Sequence, residues 1–420
     1  MMWGGKILYS VKEYLKKEVK PALGCTEPGA VALAVARARK EVEGENIKKV
    51  VVDVSKNVYK NGMYVKVPGT KGMKGNKVAA AVASFCGDPS KKLEVLSDSS
   101  ETCLQKAKLL LDEGVVKVNC IMDLSGIYID AKIYTDENFA QCIIKNSHTG
   151  IYIVKRNEKI VFFNKENPEE NNDFKFSPTF HLDNFIKAVD NIDQQDVEEI
   201  FKGIEMNYKV AEHGLKLLGF NEIINQINYK IRYFCMAASG SRMSGSDIPV
   251  MSSGGSGNQG IVSILPVAIV GEELRLEKRR IAKAVALSHF VSGFIKSKLG
   301  KVAPVCGCVN AASPGAAAGI TYLFSGSQEQ IMLAVKTVLS DTLGMFCDGA
   351  KESCALKAGM AGQEAYDASL LAMRDIGIKD CQGFLNDDFN KTMENIVEIG
   401  KNGLTKLDDS IIKVLEKRNS

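Results

Sequence analysis

Two short stretches of this chain carry thiols at turns. Leu343-Gly344-Met345-Phe346-Cys347-Asp348-Gly349-Ala350-Lys351-Glu352-Ser353-Cys354 places Cys347 and Cys354 on either side of Asp348-Gly349, a strong turn dipeptide. Upstream, Val305-Cys306-Gly307-Cys308-Val309 is a second thiol-bearing turn, and the Ala- and Leu/Val-rich sequence between the two has helical character. A helical hairpin of that length brings its ends back together, and the cysteines with them. Soft thiolates converging on one point suit zinc or an iron–sulfur cluster far better than magnesium or calcium. Taken singly, each of these cysteines is a small buried hydrophobe. As a group flanked by Gly and Asp, they read as metal ligands.

Cys25 is the second anchor. In Leu23-Gly24-Cys25-Thr26-Glu27-Pro28-Gly29, Thr26 suits an N-cap and Glu27 and Pro28 suit the first turn of a helix through Ala30–Ala38. A thiol beside a helix N-terminus meets the positive end of the dipole and unpaired N–H groups, both favouring thiolate. Such a residue serves as nucleophile, general base or metal ligand; the plain alternative is a buried thiol at a helix start.

Two Gly/Ser-rich stretches follow. Ser252-Ser253-Gly254-Gly255-Ser256-Gly257-Asn258-Gln259-Gly260 contains a formal G-x-G-x-x-G, but Pro249 spoils the preceding strand and no βαβ unit surrounds it, so dinucleotide binding fails on context. A backbone nest at a helix start, able to hold a small carboxylate, fits better, with Ser256 and Asn258 orienting polar substrate atoms. Ser239–Gly245 reads as a second loop, where Arg242 is a carboxylate partner; a solvated surface loop is the competing view. His148, His181, His213 and His289 show no paired ligand spacing. Neither a G-x-S-x-G elbow nor a Walker motif is present.

These groups must be positioned by an N-terminal amphipathic helix over 7–20, with Leu8, Val11, Tyr14, Leu15 and Val19 on one side. Beyond it, strands are expected at 49–54, 64–67, 115–122, 127–134, 140–145, 151–155 and 159–163, with helices over 78–85 and 101–112. The polar run 164–177 reads as a linker or exposed loop, and nearly everything after it is helical in character. The fold class is therefore α+β, a mainly α-helical C-terminal catalytic domain with an α+β (mixed-sheet) module inserted in the N-terminal half. Expected boundaries are an N-terminal helical segment 1–46 packing on the catalytic domain, the α+β module 47–176, and an all-α domain 177–420.

The 420 residues allow two or three domains and a large core. A net charge of +4 from 54 basic and 50 acidic residues, interspersed, gives no basic run for nucleic acid. No apolar window is long enough for a membrane span, and Met1-Met2-Trp3-Gly4-Gly5-Lys6 lacks the apolar region of a signal peptide. An odd eleven cysteines without such a signal point to a reducing cytoplasm, with thiols as cores, ligands or nucleophiles rather than disulfides.

At these residues the chain resembles the L-cysteine desulfidase family, relatives of the iron–sulfur L-serine dehydratases. The resemblance covers most of the chain. It rests on Ala22-Leu23-Gly24-Cys25-Thr26-Glu27-Pro28, Asn61-Gly62-Met63 through Val67-Pro68-Gly69-Thr70, Ser253–Gly260, Cys306-Gly307-Cys308 and Cys347–Cys354. It implies a [4Fe–4S] cluster on three cysteines with one iron open to substrate. By resemblance the ligands are Cys347, Cys354 and one of Cys306 and Cys308, with Cys306 favoured by its separation from Cys347. It further implies Cys25 as catalytic base, a small amino-acid substrate, and association as a homodimer. The C-terminal cysteine that caps the open iron in some serine dehydratases has no counterpart in Lys417-Arg418-Asn419-Ser420. The implied reaction is β-elimination from L-cysteine to pyruvate, ammonia and hydrogen sulfide. L-serine dehydration, a non-catalytic metal or thiol redox module and a pyridoxal-phosphate lyase are the alternatives.

Overall fold

The computed structural model of the protein describes residues 9–164, 174–219, 226–300, 304–404 and 406–417. Leu8, Met1–Lys6, Arg418–Ser420 and most of the polar run after Asn164 lie outside them. Ser10 accepts the Glu13 N–H and starts α1 (Val11–Glu18), whose Val11, Tyr14 and Leu15 are buried on one face. A two-residue strand β1 (Pro21–Ala22) leads to α2 (Thr26–Arg39). Next come β2 (Ile47–Ser55), α3 (Lys56–Gly62), α4 (Asn76–Cys86) and α5 (Glu101–Asp112), then β3 (Val116–Ile121), β4 (Tyr128–Thr135), β5 (Phe139–Lys145), β6 (Ile151–Arg156) and β7 (Lys159–Phe163). The sheet order is β3-β2-β4-β5-β6-β7, with β2 and β3 parallel and every other pair antiparallel. One face carries Val50, Val52, Val54, Ile129, Ala131 and Ile133, all fully buried, and α2 lies across β4 and β5 on it.

The second half is a helical body: α6 (Leu182–Asp190), α7 (Gln194–Leu217), α8 (Ile227–Met243), the short β8 (Val250–Met251), α9 (Gly257–Glu273), α10 (Lys278–Leu299), α11 (Ser313–Leu323), α12 (Gln328–Thr342), α13 (Cys354–Ala372), α14 (Phe389–Glu398) and α15 (Leu407–Glu416). α9 is apolar on all sides and buried through most of its length, as a central helix must be. The fold is thus α+β, with a mixed sheet in the N-terminal half and helices after it. No described helix is long and apolar enough to cross a membrane.

Away from the site, the structure differs from the sequence expectations at five places. Residues 64–67 form no strand, only a bridge between Lys66 and Lys74, because Pro68 lacks an N–H and Gly69 and Gly72 curl the chain at positive φ. Ser239–Met243 is the end of α8 rather than a loop; its small residues let helices approach, with Ser239 and Ser241 buried. The segment 1–46 divides: Val11, Tyr14 and Leu15 join the helical core, whereas Ala30–Ala38 of α2 join the sheet core. The described end of the polar run is no exposed loop, since Phe174 is buried against Tyr9, Tyr14 and Phe290 and Phe176 packs beside it. Finally, Cys86 and Cys103 are paired as a disulfide where α4 ends against the start of α5, their Cα atoms 6.2 Å apart, so not every thiol is a core residue, ligand or nucleophile.

This aromatic cluster ties α1 to the helical body, with Phe185 stacked on Phe290 at 5.3 Å. Phe290→Ala is expected to lower unfolding free energy by about 3–5 kcal/mol in urea denaturation. A loss below about 1 kcal/mol would show that the cluster is not what fastens the N-terminal segment.

Candidate functional site

The site is assembled by a short seam. β1 and β8 pair antiparallel, Pro21 opposite Met251 and Ala22 opposite Val250. The Ser252 N–H to Lys20 carbonyl bond (2.8 Å) and the Gly254 N–H to Glu18 carbonyl bond (3.0 Å) extend it. Cys25 comes three residues after β1, Arg242 lies in the last turn of α8 before β8, and the Gly/Ser loop follows β8.

Gly24, at φ +57°, turns the chain so that Cys25 itself, not Thr26, occupies the N-cap of α2. Its sulfur makes no cap bond; it donates to Glu27 Oε2 at 2.9 Å. Glu27 also accepts from Thr26 Oγ1 (3.2 Å) and from Asn61 Nδ2 (2.8 Å), and His148 Nε2 lies 3.9 Å from Oε1. Burial opposes ionisation of Glu27, but His148, the Cys25 thiol and Asn61 together hold it below the usual carboxylate range. The consequence for Cys25 reverses the sequence expectation. Burial first, and then the Glu27 charge, push its thiol well above the ordinary value, with Arg242 pulling the other way. The carboxylate has taken the favourable position at the helix start, and the cysteine is held as a thiol. Cys25 also lines a cleft of about 350 Å³ with Val67, Pro68, Leu96, Asp247 and Pro249.

Arg242 is 5% exposed, and among the described residues no carboxylate pairs with it. Its Nη1 donates to Asn258 Oδ1 at 3.2 Å, and its Nε is buried without a partner. Gly257 lies so close to the guanidinium that any side chain there would strike it. Leaving a buried cation unpaired is costly, which marks the position as built for an anion. Ser256, expected to orient substrate, is the N-cap of α9, its Oγ accepting the Gln259 N–H.

The two cysteine turns meet as predicted from the hairpin between them. Val305 and Phe346 form an antiparallel bridge, closed by the Cys306 N–H to Met345 carbonyl bond (2.9 Å) and the Cys347 N–H to Pro304 carbonyl bond (2.7 Å). Cys306 and Cys308 have their sulfurs 3.4 Å apart. The bond they share lowers the Cys306 thiol, with Lys357 helping, and raises that of Cys308, which burial and the charges of Cys306, Cys354 and Cys347 raise further. Cys354 begins α13 and, with Ala350, packs on the small buried cluster of Cys25, Val65 and Met243. So Cys25, Cys306, Cys347, Cys354, Arg242 and Asn258 are gathered in one region, with Ser256 at its rim.

Lysines surround the thiols. Lys60 Nζ donates to the Cys347 carbonyl (2.8 Å) and to Asp408 Oδ1 (2.6 Å), joining α3, the thiol loop and α15 in a fully buried pair. Lys357 Nζ bonds the Phe346 carbonyl (2.9 Å) and Asp348 (3.0 Å). Gly349, at φ +94°, leaves room for the Lys60 carbonyl, which a Cβ would approach to 2.5 Å. Among the described residues no His, Cys, Asp or Glu group stands as a ready-made metal site. The donor chemistry still fits an iron–sulfur cluster: soft thiols come from two joined loops, cations offset their charge, and the Asp348 carboxylate beside them is paired with Lys351 and Lys357.

Glu27, Asn61 and His148 were not singled out by sequence reasoning. Glu27 and Asn61 stand within motifs that carry the resemblance, but only the folded chain shows them facing one thiol. His148, on the β5–β6 turn, carries no sequence signal at all.

Fold and site together define a helical protein with an inserted mixed sheet and a thiol-rich buried centre. The serine dehydratase alpha chain family model matches residues 90–413, and the chain belongs to that family. Members of this family are typically iron–sulfur dependent. Similar relatives are a UPF0597 protein of Kosmotoga olearia, 47% identical over 97% of this chain and 99% of its own length, and one of Caldanaerobacter subterraneus, 39% identical over 98% and 99%. A UPF0597 protein of Clostridium tetani is 38% identical over 97% and 98%.

The Glu27 charge raises the Cys25 thiol, so removing it moves thiolate formation to lower pH. Glu27→Gln is expected to shift the pH profile of Cys25 alkylation by iodoacetamide, followed by peptide mass spectrometry, toward acid. An unchanged or alkaline-shifted profile would show that Glu27 does not control this sulfur.

Proposed function

We propose that the protein catalyses β-elimination from L-cysteine, giving pyruvate, ammonia and hydrogen sulfide, with a [4Fe–4S] cluster held by Cys306, Cys347 and Cys354. The observation that carries this reading is the packing of the Cys25 thiol with Cys354 beside the unpaired Arg242 guanidinium. Cys306 is preferred to Cys308 as third ligand because the bond from Cys308 favours thiolate on Cys306. When bound, the cluster supplies a Lewis-acid iron with affinity for departing sulfide.

The remaining steps belong to the chain. Arg242, steadied by Asn258, binds the substrate carboxylate and turns Cα toward Cys25. The Cys25 thiol passes its proton to Glu27 Oε2, 2.9 Å away. The resulting thiolate takes the Cα proton, the electron pair forms the Cα–Cβ double bond, and the Cβ–S bond breaks with sulfur leaving as hydrosulfide. Released 2-aminoacrylate tautomerises to the imine, which adds water to give pyruvate and ammonia. Burial of the base keeps bulk water from quenching it.

L-serine dehydration is the second reading, favoured by the family the chain belongs to. It uses the same residues with hydroxide leaving. Anaerobically purified protein should contain close to four irons and four sulfides per chain and release sulfide and pyruvate together from L-cysteine. Faster turnover of L-serine than of L-cysteine would favour the second reading. Stoichiometric zinc with no elimination from either amino acid would overturn both.

Two sets of variants separate the roles. Cys25→Ala should retain its iron and lose about 10²–10⁴ in elimination rate. Cys347→Ser and Cys354→Ser should lose iron and the visible absorption of the cluster. Retention of full activity by Cys25→Ala would remove that residue from the chemistry.

A further inference from the structure

We infer that Gln259 binds the α-amino end of the substrate, its carboxamide oxygen accepting from the ammonium group and its N–H donating to the carboxylate; this inference rests on the amino-acid lyase reading above. Gln259 lies in the first turn of α9 and is fully buried, yet both its Oε1 and its Nε2 lack any partner. Buried amides are almost always hydrogen-bonded, so an amide with neither atom satisfied is completed by something that arrives.

Its surroundings say where that something sits. A Cβ placed on Gly254 would lie 3.2 Å from Nε2, and one placed on Gly307, between Cys306 and Cys308, would lie 3.4 Å from Oε1. The carboxamide therefore spans from the Gly/Ser loop to the thiol turn. The residue before it, Asn258, holds Arg242, whose Nε is the other orphaned donor of this helix start. Lys296 Nζ lies 3.7 Å from the same Gly307 point but makes no bond to the amide oxygen, which stays open to another donor. Nearby, Asn310 Oδ1 on the thiol turn is a further unpartnered acceptor.

An α-amino acid brings the matching set: an anionic group for Arg242, an ammonium group needing acceptors, and a side chain directed at the thiols. An amide suits both ends, since it offers an acceptor and a donor without a charge that would fight Lys296 or Arg242. A buried water would satisfy the same atoms, and the two cases part in the test.

The test is Gln259→Leu, similar in volume and apolar, with Gln259→Glu as a second variant. Removing an unsatisfied buried amide should leave the melting temperature unchanged or raise it, whereas a structural glutamine would lower it. Wild-type protein should bind L-alanine at least about tenfold more tightly than propionate in titration calorimetry, and Gln259→Leu should abolish that preference. The KM for L-cysteine should rise at least about tenfold in both variants. Wild-type turnover with preference and KM intact in Gln259→Leu overturns this inference alone. Wild-type protein inert toward L-cysteine and L-serine overturns the lyase reading itself.

Discussion

The whole site depends on a ladder of two residues. Pro21 and Ala22 pair with Met251 and Val250, and a few further bonds to Lys20 and Glu18 complete the seam. Through it the N-terminal strand is stitched between α8 and α9, so Cys25 and Arg242 become neighbours although the sheet module lies between them in sequence. The seam also couples two cores. α1, just before it, is buried in the helical body, and α2, just after it, is buried against the sheet. Any rigid shift of the module relative to the helices would therefore be felt first at Cys25.

Buried charged and polar groups divide into two kinds here. Lys60 and Asp408 satisfy each other, with Asn57 and the Cys347 carbonyl taking up further bonds. Such a closed pair fixes geometry, and its removal on one side would strand the other charge. Arg242 and Gln259 are the opposite: buried, partly orphaned, and adjoining the thiols. Such groups carry a desolvation cost until something completes their bonds, so the first kind belongs to the scaffold and the second is what the proposed substrate would satisfy.

Much of this was legible in the sequence, for local reasons. Alternating Val and Ile residues over 47–163 announce strands whose period is fixed by the pleat. The thiol turns announce themselves by Gly and Asp beside cysteine. What was not legible depends on partners distant in sequence. Ser239–Met243 looks like a loop because Gly and Ser are weak helix formers, yet burial of those small residues keeps it helical. Phe174 sits in a polar context, and rings distant in sequence, Tyr9, Tyr14 and Phe290, explain its burial. Cys25 was correctly placed at a helix start, but the sign of its proton affinity depends on Glu27 folding back onto it.

That reversal fits the chemistry proposed. A Cα proton is weakly acidic, and a stronger base removes it more readily. A cysteine whose thiolate is disfavoured by burial is a stronger base than an exposed one, at the expense of a smaller thiolate population, and Glu27 adds no charge to this once it holds the proton. Arg242 works against that loss, its charge favouring the thiolate of Cys25. When a substrate carboxylate neutralises Arg242, that help is withdrawn and the thiolate becomes more eager for a proton at the moment Cα is in reach. Substrate binding and base strength are then two effects of the same guanidinium.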